Sequence, residues 1–294
     1  MAADRFAIID PHLHLFDLQL GQYRWLRADN PPMWPDKFKI ARNFDESDLQ
    51  LPKGWQLKGF VHIEAGFDNQ QPWREIDWLE TNCNLPFKSV ACADLCSSDF
   101  TLQVTHLKQR RSVVGIRHIL DEEALAIRNH PLCQPHFALL AQLGWRFDAQ
   151  LAISDSAAVH ALLKLSRQFP EVAIIINHAG WPPAVNDTEQ FKRWSDNLQA
   201  LSEHPNVAIK MSGWEMPNHG WMPSDMLVIL QHSIAVMGTE RVMLASNFPL
   251  CNFSHSYASL WRLYRDKLLN ELLIPHAVWR QLSADNAAKW YQLD

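Results

Sequence analysis

Short apolar runs rich in β-branched residues recur along the whole chain, at 6–9, 58–63, 88–93, 113–116, 145–151, 172–176, 207–210 and 241–245. Between most of them, at 73–80, 100–109, 137–143, 157–169, 191–204 and 226–237, apolar positions repeat at helical spacing. Eight near-continuous apolar strands alternating with amphipathic helices predict an α/β protein with strands covered on both faces. A closed parallel (β/α)8 TIM barrel demands this pattern. The same alternation also permits a doubly wound open sheet. That architecture has less support, because no Gly-x-Gly-x-x-Gly follows the first run and the chain holds only 10 glycines. No internal repeat is visible and no Gly/Ser-rich linker divides the chain, so residues 1–294 read as one domain.

Composition narrows the classes of partner. Hydrophobic residues make up 47% and charged residues 20%, enough apolar material for a large core. The formal net charge of -5 and the absence of any long Lys/Arg run argue against nucleic acid or an acidic membrane surface. A small-molecule ligand fits better, and a homo-oligomer is compatible with the composition. Five cysteines without a CxxC pair read as reduced packing residues, with Cys92-x-x-x-Cys96 as a lesser metal-clip reading. No apolar stretch approaches the roughly 18 residues of a membrane span, and the N-terminus has no signal-like pattern. A soluble, cytoplasmic, unprocessed protein is expected.

Active sites of such barrels form at the C-terminal ends of the strands, and polar residues gather there. His12 and His14 follow the first run, His62 and Glu64 close the second, and Asp94 follows the third. Arg117 and His118 close the fourth, Asp148 lies in the fifth, and His178 follows the sixth. Lys210 and Ser212 end the seventh, and Asn247 follows the eighth. In extended Asp10-Pro11-His12-Leu13-His14 the side chains alternate, so His12 and His14 can converge on one atom while Leu13 packs behind them. Such a pair suits either a zinc-like cation or proton transfer.

The planar fork of Arg117 suits a substrate carboxylate or an oxyanion, and equally a structural ion pair. Lys210 reads as a point charge for a carboxylate, or as the partner of a neighbouring acid. His62 and Glu64 share a face and are placed to support the imidazoles. Trp25, Trp181, Trp214 and Trp221 fall in loops after strands. They offer faces for a ring-shaped substrate, or an apolar lid. Residues 18–40, rich in Pro and Trp, are the candidate lid.

The run Ile9-Asp10-Pro11-His12-Leu13-His14-Leu15-Phe16-Asp17 is followed in order by Gly115-Ile116-Arg117-His118, Ile176-Asn177-His178-Ala179-Gly180, Lys210-Met211-Ser212-Gly213 and Ser246-Asn247-Phe248-Pro249. Together they resemble the amidohydrolase-related superfamily, and within it the branch of fuconolactonase-like sugar-lactone hydrolases and pyrone-dicarboxylate lactonases. The terminal Asp285-Asn286-Ala287-Ala288-Lys289-Trp290-Tyr291 resembles that branch's closing Asn-Ala helix. The resemblance spans essentially the whole chain. It implies a (β/α)8 barrel that hydrolyses a small cyclic ester, a sugar-acid or carboxylated lactone, with chemistry at His12, His14 and His178.

The chain departs from that pattern in three places. Members usually carry Asp after the eighth strand, as base or metal ligand, where this chain has Asn247; an amide neither accepts a proton at neutral pH nor compensates a cation. Strand four has Arg117-His118 where a bridging lysine would stand, and strand five has Asp148 where many metal-dependent members place His, which argues against a two-metal site. Two arrangements follow. His12, His14 and His178 hold one divalent cation such as zinc as Lewis acid, or no metal is obligatory and the imidazoles with Arg117 stabilise the oxyanion. The missing carboxylate tilts the reading toward the second. Proton abstraction then falls to His178 or Asp148, with Asn247 orienting water. The other readings are a metal-dependent decarboxylase of the same superfamily and a non-catalytic sugar-acid-binding descendant.

Overall fold

Eight strands pair in parallel in strict sequence order: β1 (Ala7–Leu13), β2 (Gln56–Ile63), β3 (Phe87–Cys92), β4 (Val113–Ile119), β5 (Arg146–Gln150), β6 (Ile174–Ile176), β7 (Val207–Met211) and β8 (Val242–Leu244). The computed structural model describes residues 6–121, 127 and 130–293. The expected barrel is the architecture observed. Its seam lies just past β8, where Asn247 N donates to His12 O at 2.9 Å and His14 N donates to Phe248 O at 2.7 Å. Closure therefore sets Asn247 beside the His12-x-His14 pair.

Six helices fall in the expected intervals: α1 (Trp73–Asn82), α2 (Phe100–Leu107), α3 (Cys133–Leu143), α4 (Ser156–Gln168), α5 (Thr188–Ser202) and α6 (Pro223–Met237). Their ends carry local signals. Asp155 accepts from Ala157 N and Ala158 N at the start of α4, and Asp187 accepts from Gln190 N at the start of α5. Pro223 occupies the first position of α6, where its missing N–H costs nothing.

Three further helices follow β8: α7 (Tyr257–Arg265), α8 (His276–Arg280) and α9 (Asn286–Tyr291). The last is the expected closing helix, anchored by Asn286 Nδ2, which donates to Thr239 O at 2.6 Å and Val242 O at 2.7 Å. It also plugs the barrel. Tyr291 and Leu293 share one apolar cluster with residues of seven strands, including Ile9, Ile63, Val90 and Met243. Only the barrel interior can bring those strands to one place.

Two strands run further than their apolar residues suggest. β1 continues through His12, and β4 continues through Arg117 and His118 because those residues pair with Asp148 and Ala149 of β5. Ladder hydrogen bonds override side-chain polarity there. Between β1 and β2 the chain makes three short 3-10 turns instead of a helix. Among the described residues no helix is long and apolar enough to cross a membrane.

Candidate active site

His12 and His14 do point the same way. Their ring centroids lie 5.1 Å apart, and His178, carried past β6, brings its ring to 4.5 Å from His12. His178 and Asn247 both adopt left-handed backbone, φ 53° and 55°. This conformation is costly for residues with a Cβ and is tolerated where surrounding structure forces it. Gly213, after β7, is required by the same crowding: a Cβ there would lie 2.5 Å from His178 Nδ1.

The hydrogen bonds assign roles to the ring nitrogens. His14 Nδ1 lies 2.7 Å from Ile63 O, a carbonyl that can only accept. The His14 proton therefore sits on Nδ1, and Nε2 keeps its lone pair. That nitrogen faces Asn247 Oδ1 at 3.3 Å, while Asn247 Nδ2 donates to Glu215 Oε1 at 2.6 Å. His178 Nδ1 pairs with Ser212 Oγ at 3.1 Å. His12 Nδ1 lies 3.4 Å from Lys210 Nζ, and its Nε2 is buried without a partner. Burial holds all three imidazoles well below their ordinary pKa, helped by Lys210 at His12 and by Arg117 at His14 and His178. They are neutral at physiological pH.

His14, His178 and Asn247 open onto a cavity of about 510 Å3, well within the range of small-molecule sites. Arg117 lines it but is not free. Its Nε donates to Glu64 Oε1 at 2.7 Å, its Nη2 to Glu64 O at 2.7 Å, and its Nη1 to Gln150 at 3.4 Å. Of the alternatives for Arg117, the structure places it in an ion pair. Asp94 and Asp121 stand at the rim, so no unpaired cation faces the cavity among its described lining residues. Arg117 and the adjacent His118 both line it.

Lys210 and Asp148 take no direct part in the cavity. Both are fully buried beneath it, with Lys210 Nζ 2.5 Å from Asp148 Oδ2 and the Tyr291 hydroxyl donating to the same carboxylate. The expectation of Lys210 as a substrate ligand gives way to its alternative, pairing with a neighbouring acid, and Asp148 has its lone pairs engaged. His62 is held apart from the Glu64–Arg117 pairing by partners of its own. It accepts from Leu15 N at 3.3 Å and pairs with Glu75 of α1 at 3.0 Å, bracing β1 and β2 from outside.

The tryptophans divide between two cavities. Trp25 and Trp34, from the 18–40 segment, line the first, with Trp25 Nε1 donating to Ala65 O at 2.7 Å. Trp181, Trp214 and Trp221 line a second, smaller one of about 280 Å3. Trp181 still approaches His178, at 4.9 Å between rings. Asp10 and Glu215, both buried beside the imidazoles or Asn247, were not among the candidate residues. Asp10 accepts from His12 N at 3.2 Å and Ser246 N at 3.1 Å, tying β1 to the seam, and Glu215 holds Asn247. Nothing in the local pattern marks either one; only closure of the barrel brings them to their partners.

Residues 9–293 match the amidohydrolase family. An uncharacterized protein of Sinorhizobium fredii is 30% identical over 98% of this chain and 99% of its own length. An L-fucono-1,5-lactonase of Burkholderia ambifaria is 24% identical over 95% of this chain and 96% of its own. Among solved structures, an amidohydrolase of Burkholderia multivorans with bound zinc superimposes with a TM-score of 0.81 at 21% identity, covering 98% of this chain and 100% of that one.

That zinc prompts a comparison of donors. Here His12, His14 and His178 are gathered, but among the described residues no three His, Cys, Asp or Glu side chains are placed to hold a metal ion. An ammonium stands at His12 Nδ1, and the nearest strand carboxylate and Glu64 are each committed to a cation. The donor set as placed does not fit a zinc clasp.

Proposed function

The chain belongs to the amidohydrolase family, and from that premise we propose that it hydrolyses a small neutral cyclic ester, a sugar-type lactone, in the His14 cavity. The observation that carries this reading is a neutral lone-pair nitrogen, His14 Nε2, lining a cavity where, among the described lining residues, the one guanidinium is already neutralised by Glu64. A dicarboxylated ring would need cations to meet its charges. A neutral lactone needs an acceptor for the water proton, a donor for the carbonyl oxygen and polar groups for its hydroxyls.

Each of these is available. His14 Nε2 takes a proton from water as the oxygen attacks the ester carbonyl. Arg117, which lines the cavity, retains an Nη1 hydrogen beyond those given to Glu64 and Gln150, a donor available to the developing oxyanion. As the ring C–O bond breaks, the proton passes from His14 to the leaving alkoxide, giving an open-chain hydroxy acid. Asp94, Asp121 and Gln150 suit ring hydroxyls, and Trp25 and Trp34 supply aromatic walls. The lactonase named among the relatives supports the same class of substrate.

The test is proton release from a panel of neutral aldonolactones and carboxylated lactones, with zinc content measured on the same preparation. Hydrolysis of neutral lactones, abolished by His14→Gln in a folded variant, is the expected result. Turnover confined to carboxylated lactones, or decarboxylation lost on chelation of stoichiometric zinc, would overturn it.

A further inference from the structure

We propose that Glu215 is a positioning residue that turns the Asn247 amide so that its oxygen faces His14, leaving two acceptors side by side to seize the attacking water. The role assigned to that water rests on the lactone reading above; the orientation of the amide does not.

Glu215 lies in the segment after β7 with its carboxyl buried, and its side-chain partner is Asn247 Nδ2 at 2.6 Å. Once ionised, above the value of about 7 to which burial raises it, the Glu215 carboxylate only accepts, whereas an amide has one donor end and one acceptor end. The donor end must face Glu215, which sends Oδ1 toward His14 Nε2 at 3.3 Å. His14 cannot supply a hydrogen there, because its proton is held on Nδ1 by Ile63 O. Nor can Asn247 withdraw, since its amide N is bonded to His12 O and its backbone is fixed in the left-handed region.

Two lone-pair acceptors therefore meet with no donor between them. Buried acceptors left in this state are costly, and both residues line the cavity. A single molecule with two hydrogens on one oxygen satisfies both. On attack, one hydrogen passes to His14 Nε2, the other stays on the water oxygen, hydrogen-bonded to Asn247 Oδ1, and a lone pair of that oxygen forms the bond to the carbonyl carbon.

This arrangement also accounts for Asn247 itself. A carboxylate at 247 would present acceptors in both directions and need no orienting partner. With an amide there, the acidic group sits one side chain further out, at Glu215, and acts by fixing which end of the amide is turned inward.

The test uses Glu215→Gln, of nearly the same shape, whose amide can donate to Asn247 Oδ1 and let Nδ2 turn onto His14. At about pH 8, kcat should fall about 10- to 100-fold with KM little changed, as expected for lost orientation. The double variant Glu215→Gln/Asn247→Asp should recover most of kcat, a rescue that a merely structural Glu215 would not give. Crystal structures of the parent and of Glu215→Gln supply the readout independent of activity. The parent should hold a water bonded to both His14 Nε2 and Asn247 Oδ1, and the variant should lose it as the His14–Asn247 contact closes below about 3.1 Å. A parent without lactonase activity that holds this water sinks the lactone reading and keeps the proposal. An active parent without it, or a Glu215→Gln enzyme with unchanged kcat, overturns the proposal.

Discussion

Lys210 and Asp148 form an ion pair wholly inside the barrel, Nζ to Oδ2 at 2.5 Å, with both side chains shut off from solvent. The pair stands between the C-terminal plug, through Tyr291, and the imidazole cluster, through His12. Burial lowers the Lys210 ammonium to about 8 despite its partner, so the charge depends on Asp148. Removing one partner of such a pair leaves the other unpaired in an apolar setting. Asp148→Asn should cost about 3–5 kcal/mol in urea unfolding, and Asp148→Leu/Lys210→Met should cost clearly less than the summed singles. Strict additivity in that double-mutant cycle would show that the pair is not coupled.

Glu64 neutralises Arg117 within the cavity wall, at 2.6 Å between Nη2 and Oε1. Glu64→Gln keeps a hydrogen-bond acceptor but frees the guanidinium charge for ligand. A desolvated charge pair of this kind is worth about 1.5–3 kcal/mol, so the variant should bind a small dicarboxylate about tenfold or more tightly than the parent. Isothermal titration calorimetry measures this directly. Equal affinities would mean that the charge of Arg117 is not what the cavity withholds from anions.

The barrel was legible because strands covered on both faces leave unbroken apolar runs, and six of its helices showed as stripes between them. Helix α7 was not, because its buried stripe is built from Tyr257, Leu260, Trp261 and Tyr264, and aromatic residues carry no helical preference of their own. At the site, His12, His14, His178 and Asn247 were legible as strand-end residues. What each charge would pair with was not. Arg117 and Glu64 are 53 residues apart, Lys210 and Asp148 62, and Asn247 and Glu215 32, distances that only the closure of the barrel can bridge. Trp181 and Trp214 could not be placed for a related reason: the segments after β6 and β7 fold toward each other and enclose their own cavity.

Burial raises Glu215 to about 7 from an ordinary carboxyl value of 4.5, against the opposing hydrogen bond from Asn247. The folded state then binds more protons than the unfolded state between those values, so this group's contribution to stability declines as pH rises through the window. Glu215→Gln removes the titration. The stability of the variant relative to the parent should therefore rise by about 3 kcal/mol at most between pH 4.5 and pH 7, and level off above. Urea unfolding across that range checks it. Asp10, raised to about 6 by burial, is present in both proteins and cancels in the difference. A difference that is flat with pH would remove Glu215 from the set of buried titrating groups.

Trp25 and Trp214 offer a paired test of which aromatic residues meet the substrate. Trp25 reaches the first cavity from the 18–40 segment, pinned by its bond to Ala65 O and by an edge contact with Phe16 at 5.8 Å. Trp214 is buried at the second cavity, its indole donating to the Tyr264 hydroxyl at 2.6 Å, and that hydroxyl in turn bonds Met211 O and Ala245 O at the ends of β7 and β8. Stacking of an aromatic face on a ring is worth about 1 kcal/mol beyond its area, so Trp25→Ala should raise KM by about tenfold once lost burial is included. Its thermal midpoint should change little, because the segment it anchors lies at the cavity wall. Trp214→Ala should show the reverse, a loss of about 3–5 kcal/mol from the emptied core site with KM near that of the parent. Steady-state kinetics and denaturant unfolding on the two variants separate these outcomes, and a KM effect in Trp214→Ala larger than in Trp25→Ala would move the substrate to the second cavity.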